Sequence, residues 1–543
     1  MTIDLPLPIK LVLLSAPEAL LVKQFIPEQS LRVPITPIVL GLIAINFFAW
    51  AFYRVLIYPF FLSPFRHLPE AIPKYPIISN GPVVMSKPPG NEFLNWVKTI
   101  PNDGLIRFRG FFNVDRLIPT EPKTIADVLV HKTYDFEKPT KLRNFLRRIL
   151  GDGLIIVEGD EHKFQRKNIM PSFSFRHIKE LYPIFWTKAV ALTEGVTAEM
   201  QDDQVVEINH WSTKVTLDII GLAALGRDFN SLKSADDPLV GTYEEVLEPT
   251  MEKTVFFTLH IVGLESIVKI LPWRINEVMR DTTTKLKQIC QQLLTDKKAI
   301  LKVESEDQKD ILSVMMRSNL FGDDMLIDQL LTFLAAGHET TSSAFTWVCY
   351  LLATHPSVQS RLREEVLSNL SAELADPKNA SSVTLAEKLE GMPYLNAVCN
   401  EVTRLYPTVP VTIRDAVRDT NICGQYVPKG TQVLLVPWAI NRSPHLWGAD
   451  SEEFKPERWI DEKGHANNNG GASSNYCQLT FLHGPRSCIG QKFAQAEMRA
   501  LVAAFVGRFE WTLAMDEKDV IPAGVVTTKP QNGMKLRLKR YEA

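Results

Sequence analysis

At 543 residues, the chain is long enough for two or three ordinary domains or for one large domain with an anchor. Its 45% apolar and 22% charged content suit a large globular core, and a net charge of −2 excludes the global basic field that recruits nucleic acid. The six cysteines, Cys290, Cys349, Cys399, Cys423, Cys477 and Cys488, stand singly; that excludes a disulfide scaffold and fits a reducing compartment.

From Val33 to Tyr53 no side chain is charged (VPITPIVLGLIAINFFAWAFY). About 20 such residues cross about 30 Å of hydrocarbon. Trp50, Tyr53 and Tyr58 lie at one edge, as interfacial aromatics do, followed by Arg54 and Arg66. A cleaved signal peptide would start nearer the terminus, so a retained membrane helix over 34–55 is predicted. Before it, within 1–33, the apolar stretch Leu5–Val22 is interrupted by Lys10, Pro17 and Glu18. It reads as lying on the membrane surface or weakly embedded. Pro59, Pro64, Pro69, Pro73, Pro76, Pro82, Pro88 and Pro89 exclude a long helix and predict a stiff tether over 56–90.

The rest, 91–543, reads as one mainly α unit with a minor β portion. GLIRFRGFF (Gly104–Phe112) alternates like strand, and EPKTIADVLV opens a helix with Pro122 in its first turn. Helical patterning dominates from about Lys141 to Leu370. Beyond Pro407 come short strands such as YVPKGTQVLLV (Tyr426–Val436), and a last helix follows Cys488. HANNNGGASSN (His465–Asn475) is predicted to be a flexible surface insertion without chemistry.

Cys488 sits in FLHGPRSCIG. Gly484 and Gly490 permit a tight loop whose amides can approach the sulfur, and Arg486 adds positive charge. Taken alone, this fits a metal-binding thiolate, a buried structural cysteine or, with Cys477 and His483, an incomplete zinc set. A second stretch, LLTFLAAGHETTSSAFTWV (Leu330–Val348), reads as a central helix, apolar but for the cluster His338, Glu339, Thr340 and Thr341. Ser342 stands where a zinc-protease helix needs its second histidine, which excludes that motif. Serine and threonine bonding back to helix carbonyls is the plain alternative.

Phe481-x-x-Gly484-x-Arg486-x-Cys488-x-Gly490 resembles the haem-ligand loop of the cytochrome P450 superfamily. Three further motifs follow the same order as in that family: Ala336-Gly337-x-Glu339-Thr340-Thr341, Glu401-x-x-Arg404 with Arg458 in FKPERW, and His162-x-x-x-Arg166. The resemblance, covering roughly Pro59 to the end, implies that haem b lies between a long central helix and the Cys488 loop. Cys488 would ligate the iron and Phe481 would shield the sulfur. Arg486, Arg166, Arg414 and His162, which stands where a tryptophan is usual, would serve the propionates. Gly337 would let haem and oxygen approach the helix, Thr340 would hold a hydrogen bond on the oxygen side, and Glu339 would relay protons. Glu401, Arg404 and Arg458 would form a structural triad. By family position, Phe333, Ala336, Thr408, Val409, Val411 and Val525 would line a pocket for a hydrophobic substrate.

The implied activity is insertion of one atom of dioxygen into that substrate. No dinucleotide fingerprint or flavin module is present in the sequence, so NADPH and flavin would act through a partner reductase, with cytochrome b5 as a second donor. Lys163, Lys167, Lys492 and Arg499 are candidate docking contacts. The resemblance further implies an endoplasmic reticulum membrane, a cytosolic catalytic domain and, from the style of the motifs, fungal secondary metabolism. Fatty acid or xenobiotic hydroxylation and haem-thiolate isomerisation or dehydration are the alternatives.

Overall fold

The computed structural model describes residues 6–24, 34–200, 204–233, 250–262, 268, 270, 273–303, 309–376, 381–524 and 526–541. The chain divides into two compact units. One comprises Met1–Val83 with Ile106–Leu117, the other Val84–Leu105 with Ile118–Ala543.

The first unit begins with helices α1 (Leu7–Gln24) and α2 (Ile35–Phe52), which pack on each other. None of α2's residues is buried. The helical path does not stop near residue 55. It continues as wider π-helical turns through Tyr53–Leu62, with Pro59 inside. A proline lacks its amide and crowds the preceding turn, and widening the turn is one way a helix accommodates it. The proline-dense segment after Leu62 is paired with folded chain. Its backbone pairs at Glu70 with Arg107 of strand β1 (Leu105–Arg109). Arg107, itself buried, donates to Asp115 of β2 (Asp115–Pro119), to Glu70 and to the Pro59 carbonyl. Asn113 donates to the carbonyls of Val55 (3.0 Å) and Pro76 (2.9 Å). The end of the apolar helix is thus fastened to folded chain.

The second unit is mainly helical with small sheets. In chain order it holds β3 (Phe136–Glu137), α3 (Gly159–Ile169), α4 (Phe175–Glu199), β4 (Val205–Glu207) and α5 (Ile208–Ile220). Then come α6 (Arg274–Val303), α7 (Asp323–Thr354), α8 (Pro356–Ala375), α9 (Pro393–Leu405), β5 (Thr412–Ala416) and β6 (Gln432–Leu435). Last are α10 (Gln491–Arg508), β7 (Phe509–Leu513), β8 (Pro522–Ala523), β9 (Lys529–Pro530) and β10 (Lys535–Arg540). The 32-residue α7 is about 48 Å long at 1.5 Å per residue. It is buried along most of its length and packs on α5, α6 and α10. Each large apolar side chain it buries contributes roughly 1.5–3 kcal/mol, so a nearly all-apolar helix belongs at the centre.

The segment 465–475 is ordered, contrary to expectation. Asn467 donates to the Arg458 carbonyl at 2.8 Å, and Gly470 lies against Trp447 and Trp459 so closely that a Cβ there would come within 3.0 Å of both rings. Its polar composition reflects turns packed on two tryptophans.

Candidate active site

The loop before α10 delivers Cys488. The Cys488 amide donates to the Phe481 carbonyl at 2.9 Å, closing the loop, and the Gly490 amide bonds the sulfur. Gly484 shapes this loop and also lets another segment approach it. Its φ is +74°, and a Cβ there would lie 2.2 Å from the Leu129 carbonyl, so glycine is required for the turn and for backbone packing. Cys488 is accessible, yet burial by surrounding protein pushes its thiol up, against the Gly490 amide and Arg166. A thiol with both properties faces an internal space. Arg166 holds the loop from α3, donating to the Ser487 carbonyl (2.6 Å) and hydroxyl (3.0 Å).

Beside the loop lies a pocket of cations around one carboxylate. Arg486 donates through Nε to Glu158 at 2.7 Å and bonds the carbonyls of Thr133 and Phe136. Lys138 stands 3.8 Å from Glu158. The pairing of β3 with β5, Glu137 opposite Asp415, brings the next residues, Lys138 and Arg414, side by side. Burial, with Arg414 and Arg486 adding repulsion, pushes Lys138 down to about 7; burial brings Arg414 down to about 10. His162 is buried, its Nδ1 has no hydrogen-bond partner among the described residues, and burial with Arg486 and Lys138 lowers it to about 4. Several buried cations facing one acid, with an orphaned imidazole nitrogen, suit a ligand carrying two more carboxylates. The residues present therefore fit haem propionates.

The sign of the pH effect follows. His162 ionises near 6.5 when unfolded and near 4 in the fold, so the unfolded chain takes up the proton first. The haem-free protein should lose stability as pH falls from about 6.5 towards about 4, and His162→Gln should remove that loss. Denaturant midpoints at pH 7 and pH 5 check this.

On α7, Ala335, Ala336, Gly337 and Thr340 are only half-buried, although the residues flanking them are buried. Ala336, Gly337 and Thr340 share one helical face, which therefore opens on an internal space. Thr340, Thr341, Thr408 and Phe481 line one narrow cavity of about 40 Å³. Thr340 Oγ1 donates back to the Ala336 carbonyl at 2.7 Å, and His338 bonds the Leu334 carbonyl. Gly337 also packs on a neighbouring helix: a Cβ there would meet Ile220 of α5 at 2.5 Å. Its smallness lets α5 approach α7. Phe333 is buried with its ring centroid 5.6 Å from that of Phe173. Val409 and Val411 are half-buried beyond α9, and Val525 lies outside the described residues.

Glu339 has partners that sequence reasoning missed. Lys529 of β9 lies 2.7 Å from its Oε2, and Thr527 donates to its Oε1 at 2.8 Å. Thr528 between them donates its amide to the Thr408 carbonyl at 2.9 Å, and its own carbonyl accepts from Trp347 of α7. The β8–β9 turn is thereby fixed over both the central helix and the segment carrying Thr408. No periodicity marks these residues. The one local signal was a lysine beside two threonines in otherwise apolar surroundings.

The structure brings Glu401, Arg404 and Arg458 together. Glu401 accepts from Arg404 Nε and Nη2, both 2.8 Å, from Arg458 Nε at 2.9 Å and from Trp459 Nε1 at 2.9 Å. Glu401 and Arg404 are fully buried. Of the four candidate docking cations, Arg499 turns inward, donating to Asn396, and Lys163 is paired with Asp160.

Comparison with known proteins agrees with this arrangement. The family model described as Cytochrome P450 matches residues 111–536. The chain is 42% identical to the cytochrome P450 monooxygenase sphH of Aspergillus fumigatus, covering 89% of each chain. It is 38% identical to the cytochrome P450 monooxygenase ptmK of Penicillium ochrochloron, over 90% of this chain and 96% of the relative. It is 35% identical to the cytochrome P450 monooxygenase ALT8 of Alternaria alternata, over 91% and 92%. With the accessible Cys488 thiol set beside a cationic cradle and its central helix opening on the same interior, the chain belongs to the cytochrome P450 family, among its monooxygenases.

Proposed function

We propose that the protein inserts one atom of dioxygen into a hydrophobic substrate in fungal secondary metabolism, with two electrons from NADPH delivered by a separate reductase. The second oxygen atom leaves as water, and NADPH is oxidised. The observation that carries this reading is the position of Cys488. It is an accessible thiol inside the protein, bonded by the Gly490 amide and near Arg166, beside a pocket short of anions. Haem bound there would supply iron-centred activation of dioxygen, the thiolate pushing electron density onto the metal.

The chain's own residues bind and position. Lys138, Arg414 and Arg486 would neutralise the propionates, the neutral His162 would hydrogen-bond to one of them, and Arg166 holds the cysteine loop. Thr340 can release its helix carbonyl and hold a proton on the oxygen side, while Lys529 and Thr527 fix the Glu339 carboxylate behind it. That Thr340 and Glu339 are both present favours a monooxygenase over an isomerase or dehydratase. Ala336 and the Thr408–Val411 segment, apolar or small, favour a hydrophobic substrate. α2 anchors the protein in the endoplasmic reticulum membrane, with the catalytic unit in the cytosol.

A screen for compounds that shift the ferric spin state, followed by product analysis, tests the reading. With such a substrate, Thr340→Ala should keep haem but divert electrons to peroxide. Positioned proton transfer is worth about 10²–10⁴ in rate, so product per NADPH should fall at least about tenfold. Unchanged coupling would remove Thr340 from proton delivery.

A further inference from the structure

The apolar helix α2 does not stand alone. α1 packs along it, burying Leu11, Ser15 and Ala19, which are spaced four apart on one face. Its other faces expose Val12, Leu13, Leu14, Leu20 and Leu21, just as α2 exposes Ile45 and Phe48. Among the described residues, only Ile35–Leu62 is apolar and long enough to cross a membrane by itself. What disqualifies α1 is its charge: Lys10, Glu18 and Lys23. The structure accounts for each of them. Asn46, in the middle of α2, donates to Glu18 Oε2 at 2.6 Å and to Ser15 Oγ at 3.0 Å. Lys10 and Lys23 lie near the two ends of α1, from where a long side chain can reach the headgroups. At 18 residues, α1 is about 27 Å long, close to the roughly 30 Å of bilayer hydrocarbon.

We propose that α1 and α2 form a hairpin embedded in the lipid bilayer, α1 crossing beside α2 and held by the Ser15–Asn46–Glu18 clamp. Polar groups in hydrocarbon must be satisfied internally, and small residues at the contact let helix backbones approach. The clamp meets the first demand and Ser15 and Ala19 the second, while the apolar side chains face outwards to lipid. The first residue of α1 then lies on the membrane side where α2 ends, and the last residue of α1 on the side where α2 begins. A single-pass anchor would put the first residue of α1 on the side where α2 begins. The proposal rests on the membrane-anchor reading above.

The full chain with an N-terminal epitope tag, expressed in endoplasmic reticulum microsomes, tests it. The protein should stay in the membrane pellet after alkaline carbonate extraction, and protease added to sealed microsomes should remove the tag. Asn46→Leu leaves Glu18 without its partner and should render the tag protected, whereas Asn46→Gln should keep it cleavable. An unchanged carbon monoxide spectrum shows in each case that the catalytic unit is folded. Release by carbonate would overturn the anchor itself. Retention with a protected tag in the parent chain would overturn the hairpin alone. A cleavable tag in folded Asn46→Leu would overturn the clamp.

Discussion

Cys488→Ala should abolish the strongly red-shifted Soret band that carbon monoxide gives with reduced thiolate-ligated haem, and all oxygenation with it. Alanine at each of the other five cysteines should leave the band in place. The structure separates the six thiols on physical grounds. Burial pushes Cys290 and Cys399 up to about 12 and Cys349 well above its ordinary value, so these are core thiols that resist ionisation. Cys477 is also buried and raised. Cys423 is exposed on a turn, and burial and Asp127 raise it. Cys488 alone combines access with an amide and a guanidinium that favour its anion, and a metal would complete the deprotonation. A normal spectrum from purified Cys488→Ala would refute the ligand assignment. Cys488→His gives a second reading: haem retained without the red-shifted band would separate loss of the thiolate from loss of the fold.

The parts of this site that were legible in the sequence are those whose chemistry is local. A cysteine loop with spaced glycines and an arginine, or a polar cluster inside an apolar helix, shows itself within twenty residues. The mainly α fold with minor strands was legible for the same reason, since apolar periodicity is a local signal. Partners across the chain were not. Arg486 finds Glu158, 328 residues away, and Glu339 finds Thr527 at a separation of 188. Composition also misled where packing overrode it. Pro59 sits inside widened helical turns, and the asparagine- and glycine-rich 465–475 segment is seated on tryptophans. Gly337 and Gly484 were legible as special positions, but which neighbour needed the missing Cβ was a tertiary fact.

Glu401→Ala should leave little folded haem protein. The carboxylate accepts five hydrogen bonds: three from Arg404 and Arg458, one from the Trp459 indole and one from the Lys455 amide. Removing it takes from buried Arg404 its carboxylate partner and from Arg458 one of two, and breaking a buried pair this way costs about 3–5 kcal/mol. Against a typical total of about 5–15 kcal/mol, that is a large share. The damage should reach the cysteine loop by a traceable route. Arg404 donates to the Asn441 carbonyl at 2.6 Å. The Asn441 side chain in turn accepts from the Leu479 amide at 2.7 Å and donates to Thr480 at 3.0 Å, just before Phe481. Glu401→Gln keeps the shape but loses the charge and turns a donor towards the arginines, so it should also fail. Arg458→Lys, at the edge of the network, should be milder, losing the fork that reaches both Glu401 and Asp450 while keeping one cation. The ratio of carbon monoxide-binding haem to total protein, with thermal midpoints of whatever folds, gives the order. Glu401→Ala with an unshifted midpoint and full haem content would mean that the triad does not hold the loop in place.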